Sequence, residues 1–106
     1  MKTKIEPLTE SYFYILLCLY NGANHGYGIM QDTLNLSGNR VRIGSGTMYG
    51  AVSNMMKKGW IVETKSDNPE DERKRLYKIT ESGRSILSEE IKRLNELVES
   101  ANKIIH

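Results

Sequence analysis

Three glycines in seven residues, Gly44-Ser45-Gly46-Thr47-Met48-Tyr49-Gly50, mark the stretch of this chain whose composition could cradle a phosphate. A dinucleotide fingerprint, G-x-G-x-x-G after a strand, uses its glycines for a tight turn and for close backbone approach to a pyrophosphate. Gly44 and Gly46 fit that spacing, but Tyr49 stands at the third glycine's place. The other phosphate loop fails as well, because no lysine and hydroxyl pair follows Gly50 at the required spacing. No strand-helix-strand unit surrounds the stretch, so a nucleotide site is not expected. Nucleophilic and metal chemistry fare no better. Cys18 lies among apolar neighbours, where thiols behave as small buried hydrophobes, and nothing in the spacing pairs it with His25 or His106. One cysteine and two histidines form no recognisable ligand set, so neither a metal nor a cofactor is expected.

Composition bounds the alternatives. A chain of 106 residues with 39% hydrophobic and 26% charged residues has the makeup of one globular domain. Its longest apolar run, Ile15 to Tyr20, is far shorter than the roughly 20 residues of a membrane span. Glu6 and Glu10 occupy the place where a signal peptide would carry bases, so a cytoplasmic location is expected. The formal charge of +2 is unevenly distributed. Residues 37–62 carry four bases and no acid, whereas 63–78 balance to zero and the two ends are each at −1. The positive charge therefore sits in the segment that contains the glycines.

The elements that must position this segment follow from periodicity and punctuation. Residues 8–20 are dense in apolar side chains, with Thr9 and Ser11 as candidate caps and Asn21-Gly22 as a stop, which predicts a first helix. A second, short helix follows His25-Gly26-Tyr27, with Tyr27, Met30 and Leu34 at helical spacing and Ser37-Gly38-Asn39 as its end. A third should open near Ser45 or Thr47, both competent caps, and close at Lys58-Gly59. Residues 60–65 and 75–79 are rich in β-formers around the turn signal Asp67-Asn68-Pro69, which predicts a hairpin. Trp60, at the start of the first strand, is expected in the core. Thr80-Glu81 then caps a last helix of about 24 residues. Helix, helix, helix, β-hairpin, long helix is the order of a winged helix-turn-helix with an added C-terminal helix. The expected fold is thus mainly α with a small β-hairpin, divided into a DNA-binding domain over 1–80 and a dimerisation helix over 81–106.

At about 100° per residue the third helix has two different sides. Met48, Ala51, Val52 and Met55 share the side assigned to core packing. The opposite side presents Thr47, Gly50, Ser53, Asn54 and Lys57. No acid occurs from Ser37 to Val62, where a merely solvated face would mix Glu with Lys, so this side suits an anionic partner. Gly50 lets a backbone come close, Ser53 and Asn54 can bond phosphates or base edges, and Lys57 supplies charge. Such a surface matches a DNA major groove, with donors from the helix N-terminus, near Ser45, for a phosphate.

Residues along nearly the whole chain carry a family resemblance. His25-Gly26-Tyr27, the run from Ile43 to Gly50, Lys58-Gly59-Trp60-Ile61, and the run from Arg75 to Gly83 together resemble the PadR family of transcriptional regulators. The resemblance implies a dimeric, usually repressing winged-helix protein of the short subfamily, whose C-terminal helix dimerises and whose small-molecule ligand relieves repression. It also implies that the third helix reads the major groove while the hairpin touches neighbouring backbone or minor groove. Here the hairpin carries Glu70, Asp71 and Glu72 ahead of Arg73, Lys74 and Arg75, so a phosphate grip is expected at its basic end, from Arg73 and Lys74. One drug-binding branch offers an aromatic from the last helix to flat ligands. In this chain no Phe, Trp or Tyr follows Tyr77, which argues against a planar aromatic effector. His25 and Tyr27 have two readings, a cap with an inward-packed ring or a phosphate contact. Tyr49, at the edge of the reading face, is likewise open to a core or a DNA role.

In the last helix Leu87, Ile91, Leu94, Val98, Ala101 and Ile105 step by 4, 3, 4, 3 and 4, a heptad seam flanked by Glu90, Arg93 and Glu96 as solvent-facing neighbours. So long a terminal helix has little domain left to cover it, which predicts a second copy as its partner, with Tyr12 and Tyr14 of the first helix as further contacts. The leading expectation is a homodimeric DNA-binding repressor on an inverted-repeat operator in double-stranded DNA. The alternative is a winged-helix module that binds protein, and an enzyme ranks a distant third because no nucleophile, metal set or paired acid and base converges.

Overall fold

The computed structural model describes residues 6–65 and 75–105. Among them the chain forms four helices and a small sheet, in the order α1 (Glu10–Cys18), β1 (Asn24–His25), α2 (Gly26–Leu36), α3 (Ser45–Lys57), β2 (Ile61–Thr64), β3 (Leu76–Ile79) and α4 (Glu81–Ile104). Thr9 caps α1, its hydroxyl accepting from the Tyr12 N–H at 3.1 Å. The helix is shorter than its apolar run. Leu19 and Tyr20 donate to carbonyls three residues back, so the chain tightens into a turn at Cys18 while Leu19 still reaches the core.

At α2, His25 is the cap: its Nδ1 accepts from the Gly28 N–H at 3.2 Å. The fully buried residues are Gly26, Ile29 and Thr33, while of the expected Tyr27, Met30 and Leu34 only Met30 packs, half-buried, against the core. Tyr27 is 64% exposed, so it does not pack inward. The reason lies on α3, where Met48 and Tyr49 press on Gly26 so closely that a Cβ there would collide with the Met48 terminal methyl. That contact turns the α2 face by one residue. Thr33 can be buried at no polar cost because its hydroxyl donates to the Ile29 carbonyl at 2.8 Å. Gly38 and Asn39, with φ of 62° and 67°, end the helix in left-handed backbone that carries the chain back toward α3.

Neither Ser45 nor Thr47 caps α3. Gly44 is the cap, no side chain bonds the first amides, and Ser45 and Thr47 lie in the first turn. Met48, Ala51, Val52 and Met55 are buried as their spacing predicts. The sheet has three strands in the order β1-β3-β2, all antiparallel, with Ile61 opposite Ile79 and Asn24 opposite Tyr77. Two residues of β1 add a strand to the expected hairpin, and they are too few for alternation to reveal. The core gathers Ile15, Leu16, Leu19, Ile29, Met48, Val52, Met55, Ile61, Tyr77 and Leu87, with Cys18 and Trp60 half-buried against it.

Thr80 joins the sheet to α4. Its N–H donates to the Trp60 carbonyl at 3.0 Å, its hydroxyl donates back to Gly59 at 2.7 Å, and the same oxygen accepts from the Gly83 N–H. Gly83 lies so close to the Trp60 carbonyl and to Ile79 that a Cβ would overlap both. Further along, α4 runs antiparallel to α1. Arg84 bonds the Tyr20 carbonyl at 2.8 Å and covers its ring, while Glu90 accepts from the Leu8 N–H at 2.9 Å.

Candidate nucleic-acid interface

The outer face of α3 is bounded by its neighbours. On one flank Tyr49, half exposed, lays its hydroxyl over Gly26 at the start of α2. On the other, Asn54 faces α1 and donates to the Tyr12 hydroxyl oxygen at 2.8 Å. Between them Gly46, Gly50, Ser53 and Lys57 are all exposed. A Cβ built on Gly46 or Gly50 would meet nothing within 4 Å, and neither glycine has positive φ. These two glycines therefore answer no need of the fold, and each costs the helix about 0.5 to 1 kcal/mol relative to Ala. Their effect is a shallow channel along the helix into which an outside backbone can settle.

Charge on and around this channel is positive. Lys57 ends α3, Lys58 lies 5.3 Å from the centre of the Trp60 ring, and Arg42 is exposed in the segment leading into the helix. Arg40 is tied to Glu10 at 2.9 Å. Among the described residues neither Lys57 nor Arg42 has a carboxylate partner. The amides of the first α3 turn point outward without a side-chain cap, which leaves them able to hold an anionic oxygen. Thr47 and Ser45 are exposed beside them. The Nδ1 of His25 is occupied in capping α2, and Tyr27, two residues on, stands exposed with its ring outward instead of packed inward. Arg73 and Lys74 lie outside the described residues.

The seam on α4 divides in two. Leu87, expected at its start, is 1% exposed and belongs to the core of its own chain, because α4 packs on α1 over its first three turns. Glu90, expected to face solvent, is 3% exposed. Its carboxylate takes Arg93 Nε at 2.7 Å and Nη2 at 2.9 Å as well as the Leu8 amide, and the Arg93 guanidinium holds its pKa below the usual carboxylate value. The spacing did carry a signal, since Glu90 falls three residues after Leu87 and four before Leu94, on the apolar side. Beyond it Ile91, Leu94, Val98 and Ala101 are exposed, with Leu94 at 37% and Val98 at 58%. Ile105 is past the helix end in extended backbone, so the helical seam stops before it. Tyr12 and Tyr14 are half-buried against their own core, with Tyr12 edge-on to Trp60 at 6.5 Å.

No described helix is long and apolar enough to cross a membrane, and no group of three His, Cys, Asp or Glu able to hold a metal occurs among the described residues. Burial pushes the Cys18 thiol pKa up, away from nucleophilic use.

Comparison with curated proteins gives no match. Solved structures give many. A transcriptional regulator from Clostridium thermocellum shares 23% identity over 91% of this chain and 90% of its own, with a TM-score of 0.75. A PadR family transcription regulator from hypervirulent Clostridium difficile shares 20% over 92% and 100%, with a TM-score of 0.74. BpsR of Bordetella bronchiseptica, whose DNA binding is regulated by 6-hydroxynicotinic acid, shares 21% over 93% of this chain and 68% of its own, with a TM-score of 0.67. At these identities the likeness is one of fold. The family model described as the transcriptional regulator PadR-like family matches residues 15–89, from the buried half of α1 through the buried part of α4, and by that match the chain belongs to the PadR-like family of transcriptional regulators, which are not enzymes.

Proposed function

We propose that this PadR-like regulator is a homodimeric repressor that binds an inverted-repeat operator in double-stranded DNA, with α3 in the major groove. The observation that carries this reading is the open channel of Gly46, Gly50, Ser53 and Lys57, uncovered by any described part of the fold and free of acids from Ser37 to Val62. A sugar-phosphate edge can settle on the two glycines while the amides at the start of α3 and the Lys57 ammonium meet phosphates. Ser45, Thr47 and Tyr49 line the entrance, and Ser53 and Asn54 reach base edges. Tyr27 of α2 and the basic end of the wing, Arg73 and Lys74, extend the backbone contacts.

Two copies joined through Ile91, Leu94, Val98 and Ala101 bring two α3 helices to half-sites about 34 to 36 Å apart, one turn of DNA. A small-molecule effector belongs to the same reading, by likeness to BpsR. Selection of bound duplexes from random DNA, followed by titration of salt, tests it. The enriched sequence should be an inverted repeat, and Lys57→Ala should weaken every duplex and lower the slope of log affinity against log salt by about one. Failure to enrich any sequence, with wild-type binding that ignores salt, would favour the protein-binding alternative.

A further inference from the structure

Asn54 is exposed on α3, one turn beyond Gly50, yet its side chain is not free. Its Nδ2 donates to the Tyr12 hydroxyl oxygen at 2.8 Å, a contact that spans 42 residues and joins α3 to α1. Tyr12 is itself fixed. Its ring is half-buried against the core and meets Trp60 edge-on, 6.5 Å between centres at 85°. The hydroxyl is therefore a stationary acceptor rather than a mobile one.

A primary amide has two N–H donors on nitrogen and one carbonyl acceptor. With one N–H given to Tyr12, Asn54 retains one N–H and Oδ1, a donor beside an acceptor. In the major groove adenine offers N7 as acceptor beside its N6 amino donor, whereas guanine offers two acceptors, N7 and O6. The remaining edge of Asn54 complements adenine and mismatches guanine. Turned over by half a rotation, the amide would accept the Tyr12 O–H on Oδ1 and present two N–H donors, the complement of guanine; in the orientation the structure shows, Nδ2 faces Tyr12 and the free edge fits adenine.

We propose that Tyr12 is a positioning residue that orients the Asn54 amide to read one adenine in each operator half-site. This rests on α3 being the DNA-reading helix, and it names a base and a residue outside that helix. Tyr12→Phe removes the hydroxyl and keeps the ring against Trp60, so folding is preserved and the test is specific.

The experiment measures affinity of wild type, Tyr12→Phe, Asn54→Ala and the double variant for the selected operator and for all single-base changes in it. Wild type should prefer adenine at one position per half-site. Tyr12→Phe should cut that preference about tenfold, while affinity for duplexes with another base there changes less than about twofold. Asn54→Ala should abolish the same preference, and adding Tyr12→Phe to it should change nothing further. Guanine at the position controlled by Asn54, an unaltered Tyr12→Phe profile, or a Tyr12→Phe loss equal for all bases would each overturn the proposal while leaving α3 as the reader. A wild type with no sequence preference would remove the reading of α3, and this inference with it.

Discussion

The helices α3 and α4 both bury one side on the same core, and they differ in what they do with the other. The inner side of α3 is completed by its own domain: Met48, Ala51, Val52 and Met55 leave no apolar surface over, and the outer side is small, polar and cationic. The apolar side of α4 is completed by its own domain only as far as Glu90. From Ile91 onward the same side continues with no described residue to cover it. An outer face whose exposed side chains are small, polar or cationic, with the half-exposed Tyr49 ring at its edge, gains less from a protein groove than from a polyanion, while an apolar stripe that outruns its core gains most from another apolar stripe. The two ends of the molecule thus call for different partners.

Leu94→Asp strikes the α4 side of this contrast hardest. A carboxylate in the seam should raise the dimer dissociation constant by about a hundredfold or more, read by sedimentation, and weaken operator binding with it. Unchanged dimer mass would remove the seam assignment. Leu87→Ala sharpens the boundary between the two parts of α4. Because Leu87 is a core residue, the loss should be about 2 to 5 kcal/mol of unfolding free energy, with the dimer constant measured under native conditions little altered. If instead dimerisation failed while monomer stability held, Leu87 would belong to the seam after all.

Glu90 marks where the covered part ends. Its pKa is lower folded than unfolded, so its stabilising contribution is present above the ordinary carboxylate value of 4.5 and is lost as pH falls through the folded value. Glu90→Gln should cost about 1.5 to 3 kcal/mol at neutral pH and flatten the acid limb of the stability profile below about pH 4.5, measured by urea unfolding. An acid limb identical to wild type would contradict the ion pair. The smallest effect concerns α3. Gly50→Ala should stabilise the fold by about 0.5 to 1 kcal/mol, since the new methyl meets nothing, while lowering operator affinity. Opposite signs in thermal unfolding and in DNA titration are the signature; equal signs would mean that the channel is not an interface.

Much of this architecture is legible before folding, because the buried and open sides of α3 follow from a 3.6-residue period and the start of α4 from the Thr80 cap. The local periods also place Gly59 and Asn39 at helix ends, where left-handed backbone is needed. Other features depend on contacts between segments far apart in the chain, which no period encodes. The α2 face turned by one residue because Met48 and Tyr49 press on Gly26. Strand β1 exists because β3 offers its edge to two residues that would otherwise be loop. Glu90 reads as a surface acid until Leu8 and Arg93 converge on it, and Asn54 reads as free until Tyr12 arrives from α1. The sequence by itself determined the order of the four helices and of the strands β2 and β3, the acid-free face of α3 and the family. Only the tertiary structure decided which part of α4 is core and which is left open, because burial depends on where the rest of the chain runs out.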